Sequence, residues 1–328
     1  MRHAAVTFCL LGAALPAAAR DRPVLRVLTY DSFASDWGPG PAIEAGFEAI
    51  CGCDLRFVTA GDGAALLARL RLDRGAGADV VLGLDTALTA AAAETGLFAP
   101  HGATADFDLP VDWDDPLFLP FDWGAFAFVY DADIVADPPT SFAGLAASDL
   151  SIVIQDPRSS TPGLGLVLWV DHVFGAEAGA IWEALAPRIL TVTPGWTEAY
   201  GLFLEGEAEM VLSYTTSPAY HAIAEGDDSI RAARFDEGHY IQIEVMGLLA
   251  ASERPDLGRA FLDHMIGSAA QGLLPTTNWM YPARAPEDGL PAGFPAPPAR
   301  GTARLYSPDA AAARRGPAIA AWRDALSR

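Results

Sequence analysis

Short apolar runs alternate with amphipathic stretches along this chain in a repeating order. Residues 24–30, 55–59 and 80–84 are Val- and Leu-rich runs bounded by polar turns, and residues 41–49 and 63–72 between them carry apolar positions at helical spacing. The pattern predicts βαβαβ. A Pro- and Asp-rich stretch, 109–122, then leads into a strictly apolar strand at 125–130, after which the order restarts with a strand at 151–155, a helix at 164–174, a strand at 189–193, a helix at 197–204 and a strand at 210–214. Each half therefore reads as its own α/β sheet. Residues 240–249 are expected to return to the first sheet, followed by helices at 255–266 and 308–326, and the Ala- and Pro-rich run 282–300 reads as a surface loop.

A chain of 328 residues exceeds one ordinary core. We expect one lobe made of 20–124 and 241–328 with the C-terminal helices, and a second lobe made of 125–240. The first 19 residues read as an export signal: Met1-Arg2-His3 is a charged start, 4–16 is a short apolar stretch, and Ala17-Ala18-Ala19 is a small-residue cleavage site. The apolar stretch is too short to span a bilayer, no later uninterrupted apolar run of that length is visible, and no lipid-attachment pattern surrounds Cys9. The mature chain is thus expected to be exported, cleaved, soluble and periplasmic. With 21 Lys and Arg against 42 Asp and Glu, the net charge of −21 argues against nucleic acid or an anionic membrane as a partner.

Candidate chemistry gathers at turns. In Ser213-Tyr214-Thr215-Thr216-Ser217-Pro218 a strand ends in hydroxyls and meets a helix start, where Ser217 can cap and Pro218 suits the first helical position. Asp62-Gly63 offers a similar cap, and Ser160 and Thr161 place hydroxyls at another helix start, a natural anion site because unpaired N–H groups and the helix dipole point outward there. It lacks the Gly-Lys-Ser/Thr of a nucleotide-hydrolysing loop. Tyr30, Trp37, Trp196, Tyr214, Tyr220 and Trp279 also sit at turns, outside the periodic apolar runs, where rings can stack on a heteroaromatic ligand or hold an organic cation.

Catalytic patterns are weak. No Gly-x-Ser-x-Gly elbow occurs, and His101, His172, His221, His239 and His264 show no metal-ligand spacing. Cys51 and Cys53 could close a small disulfide in an oxidising compartment, whereas a metal would need ligands that the neighbouring sequence does not supply. No metal or cofactor is expected.

These turns together resemble the periplasmic thiamine-binding receptors that serve ABC importers. The likeness is carried by Tyr30-Asp31-Ser32-Phe33 with Asp36-Trp37-Gly38-Pro39-Gly40-Pro41, by the strand from Asp79 to Asp85, by Gln155-Asp156-Pro157-Arg158 with Ser160-Thr161-Pro162-Gly163, by Gly195-Trp196, by the run from Leu212 to His221, and by Asn278-Trp279-Met280-Tyr281-Pro282. The Cys-x-Cys also recurs in that family. The resemblance implies a type II periplasmic binding protein fold, two α/β lobes closing over ligand, and a non-catalytic receptor for thiamine, thiamine monophosphate or thiamine diphosphate that delivers to an inner-membrane permease. It implies a pocket of Tyr30, Trp37, Asp62, Gly63, Ser160, Thr161, Trp196, Tyr214, Thr215, Thr216, Ser217, Tyr220 and Trp279, with Asp62 balancing the thiazolium charge and the helix start at Thr161 receiving phosphate. Trp123 departs from the family, where Tyr is expected, and would alter affinity if it lined the cleft. The alternatives are a polyamine or ferric-ion receptor of the same architecture, or a thiamine-degrading transferase, which would need a cysteine nucleophile in the cleft.

Overall fold

The computed structural model describes residues 22–299 and 301–328, so the leader expected over 1–19 lies outside the described residues. The first half runs β1 (Val24–Thr29), α1 (Asp31–Ala34), α2 (Gly40–Cys51), β2 (Asp54–Thr59), α3 (Gly63–Asp73), β3 (Val80–Asp85), α4 (Thr89–Ala93) and β4 (Phe98–Ala99). It is followed by β5 (Leu119–Asp131), α5 (Phe142–Ala147), β6 (Ile152–Gln155), α6 (Thr161–Phe174), α7 (Ala178–Leu185), β7 (Ile189–Thr193), α8 (Trp196–Leu204) and β8 (Met210–Tyr214). The chain closes with α9 (Pro218–Tyr220), β9 (Ile230–Ala232), β10 (Ile241–Leu249), α10 (Pro255–Met265), α11 (Ser268–Thr277), β11 (Tyr281–Pro282) and α12 (Pro308–Leu326). β3 and β10, at the centre of the first sheet, are buried along their whole length beneath the helices that cover both faces.

The strands follow the order β2-β1-β3-β10-β5-β8-β6-β7. β1 lies parallel to β2 and β3, and β6 parallel to β7 and β8, so each end of the series is a wound α/β sheet. β5 joins them: its first part pairs antiparallel with β10 and its second part with β8. The result is the two-lobed type II binding-protein architecture, with the cleft where the strand ends of the two sheets face each other.

Three sequence expectations change. The strand expected at 125–130 begins at Leu119, within the stretch read as Pro-rich, because Phe121 is an extra residue opposite the Glu244–Val245 step of β10 and this bulge accommodates Pro120. Helices α7 and α11 were not anticipated. The last helix, assigned with 241–328 to the first lobe, docks on α6 and α7 of the second. There Arg314 and Tyr306 both donate to the buried Asp171 carboxylate of α6, at 2.8 and 2.9 Å on Oδ2. Thr161–Arg188 is apolar enough by length and composition to cross a membrane, although Asp171, Glu177 and Glu183 interrupt its apolar run. The chain breaks it at Gly175 and packs α6 into the core, burying Leu164 through Asp171.

Cys51 and Cys53 are joined in a disulfide across the C-terminus of α2, where Gly52 takes φ +62°. The local turn is closed by this link, away from the cleft.

Candidate ligand-binding site

A cavity of about 390 Å³ lies between the lobes, and ten of the thirteen expected residues line it: Tyr30, Trp37, Asp62, Gly63, Thr161, Trp196, Tyr214, Ser217, Tyr220 and Trp279. Ser160, Thr215 and Thr216 do not; Ser160 and Thr216 are fully buried behind it. Trp123 is not part of the lining either. Its ring packs at 4.6 Å on Tyr281 in the sheet, so the departure from Tyr is accommodated behind the site.

Tyr30 ends β1 with its ring over Gly83, where a Cβ would stand 2.1 Å from the ring. Gly83 has φ +99° and is the extra residue of a bulge in β3 against β10, so this position needs glycine for both space and backbone. The Tyr30 hydroxyl donates to Glu244 Oε2 at 2.8 Å and accepts from Asn278 Nδ2 at 3.0 Å. Burial and the nearby Glu244 and Asp122 hold its phenol protonated well above the usual range.

Asp62 precedes α3 as expected, yet its side chain does not cap that helix. Its Oδ2 accepts from Ser160 Oγ at 2.6 Å and from the Trp196 backbone N–H at 3.2 Å, so it meets the N-termini of α6 and α8 from the opposite lobe. Burial pushes its carboxyl up to about 6 against the pull of those donors. Thr161 likewise does not cap: its hydroxyl donates to Asp85 Oδ2 at 3.0 Å. The hydroxyls assigned to an anion site are therefore engaged by carboxylates. Gly63 lets the lobes meet, since a Cβ there would lie 2.5 Å from Thr161 Oγ1.

Ser217, too, leaves α9 uncapped. Its Oγ points back to Ser213 Oγ at 2.7 Å and accepts from the Tyr214 N–H at 3.2 Å, which stiffens the turn after β8. Ser213 in turn accepts from Trp196 Nε1 at 2.8 Å, fixing that ring, and Trp196 stacks on Tyr200 at 4.9 Å. Tyr200 bonds through its hydroxyl to His221 Nε2 at 2.9 Å. Trp37, 55% exposed, stands 6.2 Å from Trp196 across the mouth. Tyr220 meets Trp279 edge-on at 5.4 Å, and Trp279 adopts φ +56° just past α11. A left-handed tryptophan costs about 1–3 kcal/mol, a strain typical of ligand-contacting positions.

The sequence reading missed Tyr200, Glu244 and Asn278 among the lining residues. Tyr200 lies on a helix face and Asn278 in a helix C-cap, but Glu244 carried a signal: it is a lone carboxylate inside the otherwise apolar and amide run of β10. The floor is completed by Gln242, whose Nε2 donates to Tyr214 Oη at 2.9 Å and to Glu244 Oε1 at 3.0 Å. No Lys, Arg or His lines the cavity, so its field is negative and its walls are π faces. Among the described residues no group of three or more His, Cys, Asp and Glu is placed to hold a metal ion.

The chain's relatives share this frame. It is 50% identical over 311 residues to the thiamine-binding periplasmic protein of Escherichia coli K12, covering 94% of each chain, and 46% identical over 325 residues to the protein of that name in Brucella abortus, covering 98% and 97%. A solved structure of a periplasmic thiamin binding protein superposes with a TM-score of 0.91 at 49% identity, over 96% of this chain and 100% of the other. Iron-bound HitA of Pseudomonas aeruginosa shares the fold at a TM-score of 0.75 and 18% identity, over 92% and 99%. The family model for bacterial extracellular solute-binding proteins matches residues 35–272. With that match and these relatives, the chain belongs to the bacterial extracellular solute-binding protein family.

Proposed function

We propose that this protein is a periplasmic receptor that captures thiamine and its mono- and diphosphate esters, without metal or cofactor and without chemical change, and passes them to an ABC permease. The observation that carries this reading is the cavity lining: seven aromatic side chains, the carboxylates of Asp62 and Glu244, and no cationic side chain. A flat cation with an aminopyrimidine suits such walls, since stacking and cation–π contacts contribute about 0.5–2 kcal/mol each. The relatives' names supply the same ligand independently. Both described cysteines are in the disulfide and neither lines the cavity, so the nucleophile of a thiamine-degrading transferase has no counterpart in the described site.

Phosphate esters meet a different surface from the ring. Asp62 holds the donors at the starts of α6 and α8, so an ester would compete with this carboxylate for the Trp196 N–H and Ser160 hydroxyl. Calorimetric titration of the purified protein tests the whole reading. Thiamine and thiamine monophosphate should give saturable heats that survive a chelator, putrescine and ferric citrate should give none, and no free pyrimidine or thiazole should accumulate with an added nucleophile. Saturable binding of putrescine or iron in place of thiamine overturns the ligand, and product formation overturns the non-catalytic role.

A further inference from the structure

Glu244 and Asp122 face each other on neighbouring strands, β10 and β5, in register. Both are buried, Asp122 fully, and one hydrogen-bond chain links them, since Asn278 Nδ2 donates to Asp122 Oδ2 and to the Tyr30 hydroxyl, which donates to Glu244 Oε2. Glu244 lines the cavity and Asp122 stands behind it. The surrounding groups come from every adjoining element. Tyr30 at the end of β1 donates to Glu244, and Gln242 on β10 donates to Glu244. Asn278 after α11 donates to Asp122 Oδ2 at 2.6 Å. Asp85 at the end of β3 adds a like charge, and Tyr214 of β8 reaches the cluster through Gln242. None of these is a cation, and the nearest guanidinium, Arg315 of α12, acts on Asp85.

Two carboxylates so placed cannot both be ionised without large repulsion in a poorly solvated site. Independently, Asp122 Oδ1 is buried with no N–H or O–H donor, as is Gln242 Oε1 nearby. A proton between the carboxyls resolves the repulsion, as in paired-acid sites generally. Burial acts in the same direction, raising both groups.

We propose that Asp122 and Glu244 hold one proton between them in the ligand-free protein and release it to solvent when a cationic ligand ring settles against Glu244. The inference rests on the cationic ligand argued above. A cation at about 5 Å in an environment of effective dielectric about 20 shifts the proton equilibrium roughly 300-fold toward the doubly ionised pair. The proton leaves as the cation arrives, so the net charge of the floor plus ligand is set by the pair. Affinity for thiamine should then rise with pH, approaching about tenfold per unit where the pair is protonated before binding and ionised after it.

The test is calorimetry of thiamine binding near pH 6.5 in two buffers of different ionisation enthalpy, which counts protons exchanged on the protein as it stands. The wild type should release up to about one proton per thiamine bound. Asp122→Asn replaces the shared proton with an amide N–H that donates to Glu244 while its carbonyl still accepts from Asn278, and Glu244→Gln does the converse. In either variant release should fall close to zero, and the pH dependence of affinity should flatten. Binding heat without proton exchange in the wild type overturns the coupling and leaves the receptor reading intact. Release that persists in both variants also overturns it, placing the proton on Asp62 or Asp85. Absence of any thiamine heat across pH overturns the receptor reading itself and the coupling with it.

Discussion

At the scale of single residues, Asp62 decides more than its position before a helix suggested. Cap preference correctly draws attention to Asp62, Ser160, Thr161 and Ser217, because a short polar side chain before a helix is a local signal. None of the four caps its own helix. Their partners come from sequence-distant elements, which no local pattern encodes: Asp62 reaches Ser160 and Trp196, and Thr161 reaches Asp85. Because Asp62 occupies the donors a phosphate would want and supplies charge to a cation, Asp62→Asn should weaken thiamine by about 3- to 10-fold and weaken thiamine monophosphate less. Titrations of both ligands with wild type and variant check this. An equal loss for both would place the phosphate away from α6 and α8.

At the scale of elements, several bounds were legible to within a residue or two, including those of β7, β8 and α12. The misses have local causes. Pro275 inside α11 reads as a breaker but is buried within the helix, and α7 is a short helix set off from α6 by Gly175. The docking of α12 had no local signal, since it rests on sequence-distant partners: Ala311, Ala318, Trp322 and Ala325 are buried, and the buried Asp171 carboxylate accepts from Arg314 and Tyr306. The Arg158 guanidinium lies over the Trp322 ring, 6.0 Å from its centroid, and adds a cation–π contact to the same seam. Removing the acceptor leaves Arg314 partly exposed and hydrated but loses three charge-assisted bonds, two from Arg314 and one from Tyr306. Asp171→Ala should therefore cost about 2–3 kcal/mol of stability while thiamine affinity stays within about twofold, because α12 does not line the cavity. Urea unfolding and calorimetry measure the two quantities separately. A large affinity loss with unchanged stability would show that α12 transmits to the cleft.

At the scale of the whole molecule, the cleft concentrates negative charge where burial opposes it. Burial pushes Asp85 and Asp62 up to about 6 and Asp122 up to about 7, and raises Glu244 well above its usual range. For a carboxyl whose folded value exceeds its unfolded value, the folded state holds more protons between the two. The folded state is thus favoured relative to high pH when the group is protonated, and stability is lost as pH rises from about 4 through the folded value. For Asp85, buried and pushed up to about 6, this amounts to roughly 3 kcal/mol above pH 7. The surplus of 21 negative charges acts in the same sense. Carboxylates held down by arginines, such as Asp54 by Arg56 and Asp156 by Arg158, act oppositely, but only below about pH 4 and at exposed or half-exposed positions. The midpoint of thermal unfolding of the ligand-free protein should therefore be higher near pH 5.5 than near pH 8. Asp85→Asn keeps an acceptor for the Ala87 N–H and a polar partner for Thr161, so it should raise the midpoint near pH 8 by a few degrees and change it little near pH 5. Melts of wild type and variant across that range decide the point: a midpoint that climbs with pH in the wild type, or a variant that parallels it, would mean that the cleft carboxyls are ionised in the folded protein at little cost.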